Sequence, residues 1–177
     1  MADTNVNVIS VDASGLKING TAVTATAAEI NSGVQPASVG TDGLGRRGVA
    51  RFTFNPTLTA GDRTIAAHGT SVTLPINAVV IGGFYEVNTA FTSAGGNAGT
   101  VAISTEGAND IVTATAVSNA IYGTIGLKAI VPKNNTPEST GIKCTAAREI
   151  TCTVAGQALT AGKLTGFLEY VVSAVSA

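Results

Sequence analysis

Charge is the scarcest property of this sequence. Asp, Glu, Lys and Arg make up 12% of its 177 residues and sum to a net charge of −1, against a usual charged fraction of roughly 25%. So thin and balanced a charge leaves no electrostatic footprint for nucleic acid or for an anionic membrane surface. Aromatic residues are also few, at 5% with no Trp, and there is a single histidine. His68, in Ala66-Ala67-His68-Gly69, has no Cys or His neighbour at metal-binding spacing, and no G-x-S-x-G elbow accompanies it. It therefore reads as a loop histidine just before a strand, and neither a zinc site nor a Ser-His-Asp triad is supported.

Long apolar runs are missing too. None approaches the roughly 18 residues of a membrane span, and the start MADTNVNV lacks the basic and apolar regions of a secretory signal. A chain made and kept in a cytosol keeps its two cysteines, Cys144 and Cys152, as thiols. The sequons at Asn19-Gly20-Thr21 and Asn134-Asn135-Thr136 then count as turn residues. No glycine-rich loop leads from a strand into a helix, as phosphate binding requires. The eleven carboxylates are scattered, and no pair can be named for glycoside hydrolysis. Glu106-Gly107-Ala108-Asn109-Asp110 offers oxygens but not the alternating carboxylates of a calcium loop, so it reads as a tight turn. The expectation is a protein that is not an enzyme and holds no cofactor or metal.

What the sequence does have is Ala, Thr, Gly, Val and Ser, arranged with period two. The longest such run is Val79 to Phe91, in which Val79, Ile81, Tyr85, Val87 and Phe91 fall on one face and Glu86 and Asn88 on the other, as a half-buried antiparallel strand requires. Shorter runs repeat the pattern. Phe52 and Phe54 point inward from residues 49–55, Val72 and Leu74 from 71–74, and Val101 and Ile103 from 100–106. Residues 111–118 and 127–131 add two more. Ile142, Cys144, Ile150, Cys152 and Val154 form another inward set, and Leu164, Leu168, Tyr170 and Val172 line the last strand, 163–172. Eight strands with no helix long enough for a crossover predict an all-β antiparallel sandwich over 49–177. An eight-stranded jelly roll is expected, with a Greek-key sandwich of another strand order as the alternative. A domain of this size can bury roughly 70% of its unfolded surface without disulfides or metals.

The front of the chain differs. Residues 6–12 form a weak strand, and Asn19-Gly20 between two β-prone triplets signals a hairpin. Thr26 and Glu29 stand in capping-box spacing ahead of Ser32-Gly33, which predicts a helix of about two turns. Residues 32–48 hold five glycines and a proline without periodicity, a linker that spans roughly 23 Å as a coil and at most about 56 Å stretched. The layout is thus an arm (1–31), a linker (32–48) and a body. Leu16, Ile18, Val23 and Ile30 are the arm's candidate docking residues. Arg46 and Arg47 could anchor an acidic partner or form a solvated loop tip.

The segment GLKINGTAVTATAAEIN, residues 15–31, resembles a stretch with the core V-T-A-T-A-A-E-[LI]-N that recurs in structural proteins of tailed bacteriophages: head fibres, capsid decoration proteins and tail-fibre adaptors. Here that core is Val23 to Asn31. The resemblance implies a virion component assembled in the host cytoplasm. A short chain without fibrous repeats suits a capsid decoration protein whose arm docks on the major capsid protein and whose body forms a trimer on the capsid surface. The alternative is a receptor- or glycan-binding fibre tip. Such a tip wants exposed aromatic platforms, and of Tyr85, Tyr122 and Tyr170 only Tyr122 lies outside an inward pattern. The low charge independently points to self-association, since so neutral a surface is poorly protected against it.

Overall fold

A computed structural model describes residues 9–12, 15–18, 21–22, 47–132 and 141–173. The chain divides into two compact units, Met1–Val39 and Gly40–Ala177. In the first, β1 (Ile9–Asp12), β2 (Gly15–Ile18) and β3 (Thr21–Ala22) form an antiparallel sheet in chain order. Ile18 pairs with Thr21, so β2 and β3 are joined through Asn19-Gly20, the dipeptide on which the hairpin was expected. The expected helix after it lies outside the described residues.

Among the described residues the second unit holds eight strands: β4 (Arg47–Phe54), β5 (Ala67–Leu74), β6 (Ala78–Ser93), β7 (Thr100–Ser104), β8 (Val112–Ala116), β9 (Gly126–Ile130), β10 (Arg148–Ala155) and β11 (Leu159–Val172). They form two four-stranded antiparallel sheets, β5-β10-β7-β8 and β4-β11-β6-β9. The pairing is nested: first strand with last (β4 with β11), second with seventh (β5 with β10), third with sixth (β6 with β9), fourth with fifth (β7 with β8). A long hairpin rolled up so that β11 also meets β6 and β10 also meets β7 is the jelly roll. The eight expected strands are all present.

The core lies between the sheets. Phe52, Phe54, Val101, Ile103, Ile150, Cys152, Leu164 and Leu168 are buried on the inward faces, as the alternation required. Aromatic rings run through it in sequence. Phe54 stacks on Phe91 at 6.1 Å, Phe91 meets Tyr122 edge-on at 5.6 Å, and Tyr122 stacks on Tyr85 at 5.9 Å. Between Leu164 and Leu168 the inward position is Gly166, where a β-carbon would sit 2.2 Å from the Phe52 ring. The Phe52 ring fills the space that a side chain would take.

Three expectations are corrected. In β6 the inward residues are Ala78 and Val80 at the start but Tyr85, Val87 and Phe91 further on, while Val79 and Ile81 are only half-buried. The parity switches because Tyr170 pairs with Val80 and Glu169 with Gly82, which leaves Ile81 as an extra residue in a bulge. In β11, Tyr170 and Val172 are half-buried rather than buried, as is every residue of the strand after Leu168. His68 lies within β5, opposite Cys152, rather than in a loop; its ring stacks on Phe54 at 5.9 Å and its Nε2 lies 2.8 Å from the Thr64 carbonyl oxygen.

Candidate functional site

The proposed docking residues fall in different places. Leu16 and Ile18 belong to β2, whereas Val23, Ile30 and Arg46 lie outside the described residues. Arg47 and Gly48, read as the end of the linker, are the first residues of β4 and pair with Val171 and Tyr170. The Arg47 guanidinium lies 3.5 Å from the Glu169 carboxylate with its side chain 67% exposed. An ion pair so open to water contributes about 0–1 kcal/mol.

No group of three or more potential metal ligands occurs among the described residues. The Glu106–Asp110 stretch shows what its oxygens do instead. The Asp110 carboxylate accepts hydrogen bonds from the Thr105, Glu106 and Gly107 amides and from the Thr105 hydroxyl. Asn109 takes the left-handed conformation at φ 60°, which Asn tolerates better than most residues. This is a self-capped turn. Glu106 points away from it and accepts from Arg148 Nε at 2.8 Å, Arg148 Nη2 at 3.1 Å, and the amide and hydroxyl of Thr145. It ties the β7–β8 corner to the start of β10.

The Arg148 guanidinium, helped by Thr145, lowers the Glu106 pKa from 4.5 to about 2. A depressed folded pKa means stability that is complete above pH 4.5 and lost as pH falls from there toward 2. The advantage of wild type over Glu106→Gln in urea unfolding should therefore be constant above about pH 5 and shrink through that window. A difference that stays flat from pH 6 to 2 would show that the ionised pair contributes nothing.

The tyrosine offered as an exposed platform is not one. Tyr122 is fully buried, its hydroxyl has no partner among the described residues, and burial raises its pKa well above the ordinary value. It sits in the short helix Ala120–Gly123, which the Asn119 side chain caps by accepting from the Ile121 amide. That cap turns Tyr122 into the core.

The aromatic side chains that reach the surface are Phe84, which is exposed, and the half-buried Phe167 and Tyr170, of which Phe84 and Phe167 form a pair. They stack with ring centroids 4.8 Å apart on the outer face of the β4-β11-β6-β9 sheet, in one cross-strand row with Arg51 and Ala129. Phe84 is 38% exposed, and Val49 and Leu127 on the same sheet are 59% and 68% exposed. On this face the apolar side chains alternate with the charged Arg47, Arg51, Glu86 and Glu169. A second feature is a groove of about 510 Å³ where β8 and β9 flank the space between the sheets; its lining includes Tyr85, Val112, Ile121, Leu127 and Lys128.

No family model matches the chain, and no curated protein matches its sequence. Solved structures do match. A chain of the cyanophage Pam1 capsid asymmetric unit superposes with a TM-score of 0.52 at 18% identity, covering 84% of this chain and 98% of that one. The fold is that of phage capsid chains. A chain of the Ralstonia phage GP4 capsid matches at 0.51 and 17% identity, covering 77% of this chain and 90% of that one. One from the acidic stable capsid of Helicobacter pylori bacteriophage KHP30 matches at 0.50 and 12%, covering 75% and 93%. In each case the matched chain is the shorter of the two.

The alternation puts Phe84 on the outward face of β6 and Phe167 on that of β11, but it could not show that the two strands are neighbours that bring the rings together. The bulge that displaces Val79 and Ile81 did leave a signal in Gly82-Gly83, since paired glycines inside a strand mark a bulge or a close approach of backbones.

Proposed function

We propose that this protein is a structural component of a tailed-phage virion that decorates and stabilises the capsid. The observation that carries the reading is the jelly roll shared with three phage-capsid chains over 90–98% of their lengths. The resemblance of residues 15–31 to a segment of phage structural proteins supports it independently. In this reading residues 1–31 dock on the major capsid protein, residues 32–46 are the tether, and the sandwich forms trimers on the outer surface. The outer face bearing the stacked Phe84 and Phe167, with Val49 and Leu127 exposed on the same sheet, suits contact with other copies. The alternative of a glycan-binding fibre tip loses its candidate platform with the burial of Tyr122.

Deleting residues 1–40 is expected to leave the sandwich folded, with a melting temperature within a few degrees of the full chain, and to abolish binding to undecorated phage heads. Undiminished binding by the truncated protein would move the docking surface to the sandwich. Failure of the truncated protein to fold would make the first residues part of the body.

Self-association has its own measurement. Light scattering at micromolar concentration should report a closed oligomer, the trimer in this reading, and Phe84→Asp should shift it toward monomer. A wild-type monomer under those conditions contradicts this part of the proposal.

A further inference from the structure

The two ends of the sandwich differ. β4 and β5 pack against one another at one end, whereas at the other β8 and β9 are the terminal strands of their sheets and flank the 510 Å³ groove. That volume lies within the roughly 300–1,000 Å³ of ligand-binding clefts. A terminal strand also leaves a row of backbone N–H and C=O groups unpaired, which is the template for adding another strand. Apolar exposure concentrates beside it: Ile125, Leu127 and Val131, on and next to β9, are 63%, 68% and 69% exposed.

Lys128 gives the groove a preference. It is the one charged residue among the described residues of the lining and pairs across the strands with Tyr85, so it lies on the core-facing side of β9. A cation on the inward side of an edge strand repels basic segments and penalises a purely apolar one that would leave it unpaired. A carboxylate would compensate it.

From this geometry we infer that the groove binds an extended segment of a partner protein, added antiparallel or parallel along the free edge of β9. One apolar side chain enters between β8 and β9, and a neighbouring carboxylate meets Lys128. Main-chain hydrogen bonds supply affinity and the alternate side chains supply selection, as in other strand additions. The inference rests on the groove and not on the capsid reading.

The test uses the full-length, isotope-labelled protein and two blocked seven-residue peptides of alternating valine and threonine, one with a central glutamate and its twin with a central lysine. The glutamate peptide should shift amide resonances of residues 112–116 and 126–131 saturably. The lysine peptide should bind at least about tenfold more weakly, the change that about 1.4 kcal/mol of charge discrimination produces. Lys128→Glu should invert the order, and Lys128→Met should bring the two peptides to equal affinity. The inference is overturned if neither peptide shifts these amides, if the shifts fall elsewhere, or if Lys128→Glu keeps the preference for glutamate. Dilution-dependent shifts of the same amides that the peptide does not displace would assign the groove to a second copy and overturn it as well.

Discussion

Gly83→Ala is expected to lower the stability of the sandwich by about 3 kcal/mol or more, while Gly82→Ala, one residue away, changes it by less than about 0.5 kcal/mol. Gly83 has φ 150°, and a β-carbon there would lie 2.2 Å from the Phe167 carbonyl oxygen, a backbone atom of the neighbouring strand. Relief requires moving β11, to which Gly83 is joined through its pairing with Leu168, and the other side of Gly83 pairs with Ile130 of β9. Left-handed strain of about 1–3 kcal/mol therefore adds to an overpacking cost of about 1–3 kcal/mol. At Gly82 no atom lies within 4 Å of the added carbon and φ is not in the left-handed range. With a urea dependence of about 2 kcal/mol per molar, the Gly83 variant should unfold at a midpoint lower by about 1.5 M. Equal midpoints for the two variants would mean that the bulge relaxes freely and that the parity switch in β6 is not held by backbone contact.

The native thiols are expected to resist alkylation by at least about a thousandfold relative to the denatured chain, because labelling has to wait for an opening that costs about 4 kcal/mol or more. Both Cys144 and Cys152 are unpaired and buried. Burial raises the Cys144 pKa to about 11, and that of Cys152 further, so the reactive thiolate is also scarce at neutral pH. The two should differ. Cys152 sits in β10, which is hydrogen-bonded to β5 on one side and β7 on the other. Cys144 lies on a short stretch held to the start of β6 by the Val79–Lys143 bridge and the backbone bonds of Cys144 to Asn77 and Ala78. Local opening of that stretch should label Cys144 before Cys152. Stoichiometric labelling of both in the native protein at the denatured rate would show that the core is not closed. Mass spectrometry of the quenched reaction reads the order directly.

The strands and most of their inward faces were legible because period-two alternation is a local property: Phe52 and Phe54, Val101 and Ile103, and Leu164 and Leu168 declare their side without reference to any partner. The turn at Glu106–Asp110 was legible for the same reason, since Asp110 caps amides within five residues of itself. Both cysteines could be placed in the core from their own runs.

What depended on a partner strand was not legible. The bulge at Ile81 exists only in the pairing of β6 with β11, and such a one-residue slip puts the side chains on its two sides out of step. Ala78 and Val80 therefore take the inward face ahead of it, where the alternation had placed Val79 and Ile81. Tyr122 is buried because of a one-turn helix too short to show a period. His68 is in a strand because β10 lies beside it. The nested strand order, the free edges of β8 and β9, and the position of Lys128 between them arise from contacts between residues far apart in the chain. The sequence by itself thus determined an eight-stranded antiparallel sandwich with its thiols inside. The jelly-roll order, the stacking of Phe84 on Phe167 across neighbouring strands and the groove were decided only by the tertiary structure, because side-chain alternation specifies a strand's faces but not its neighbours.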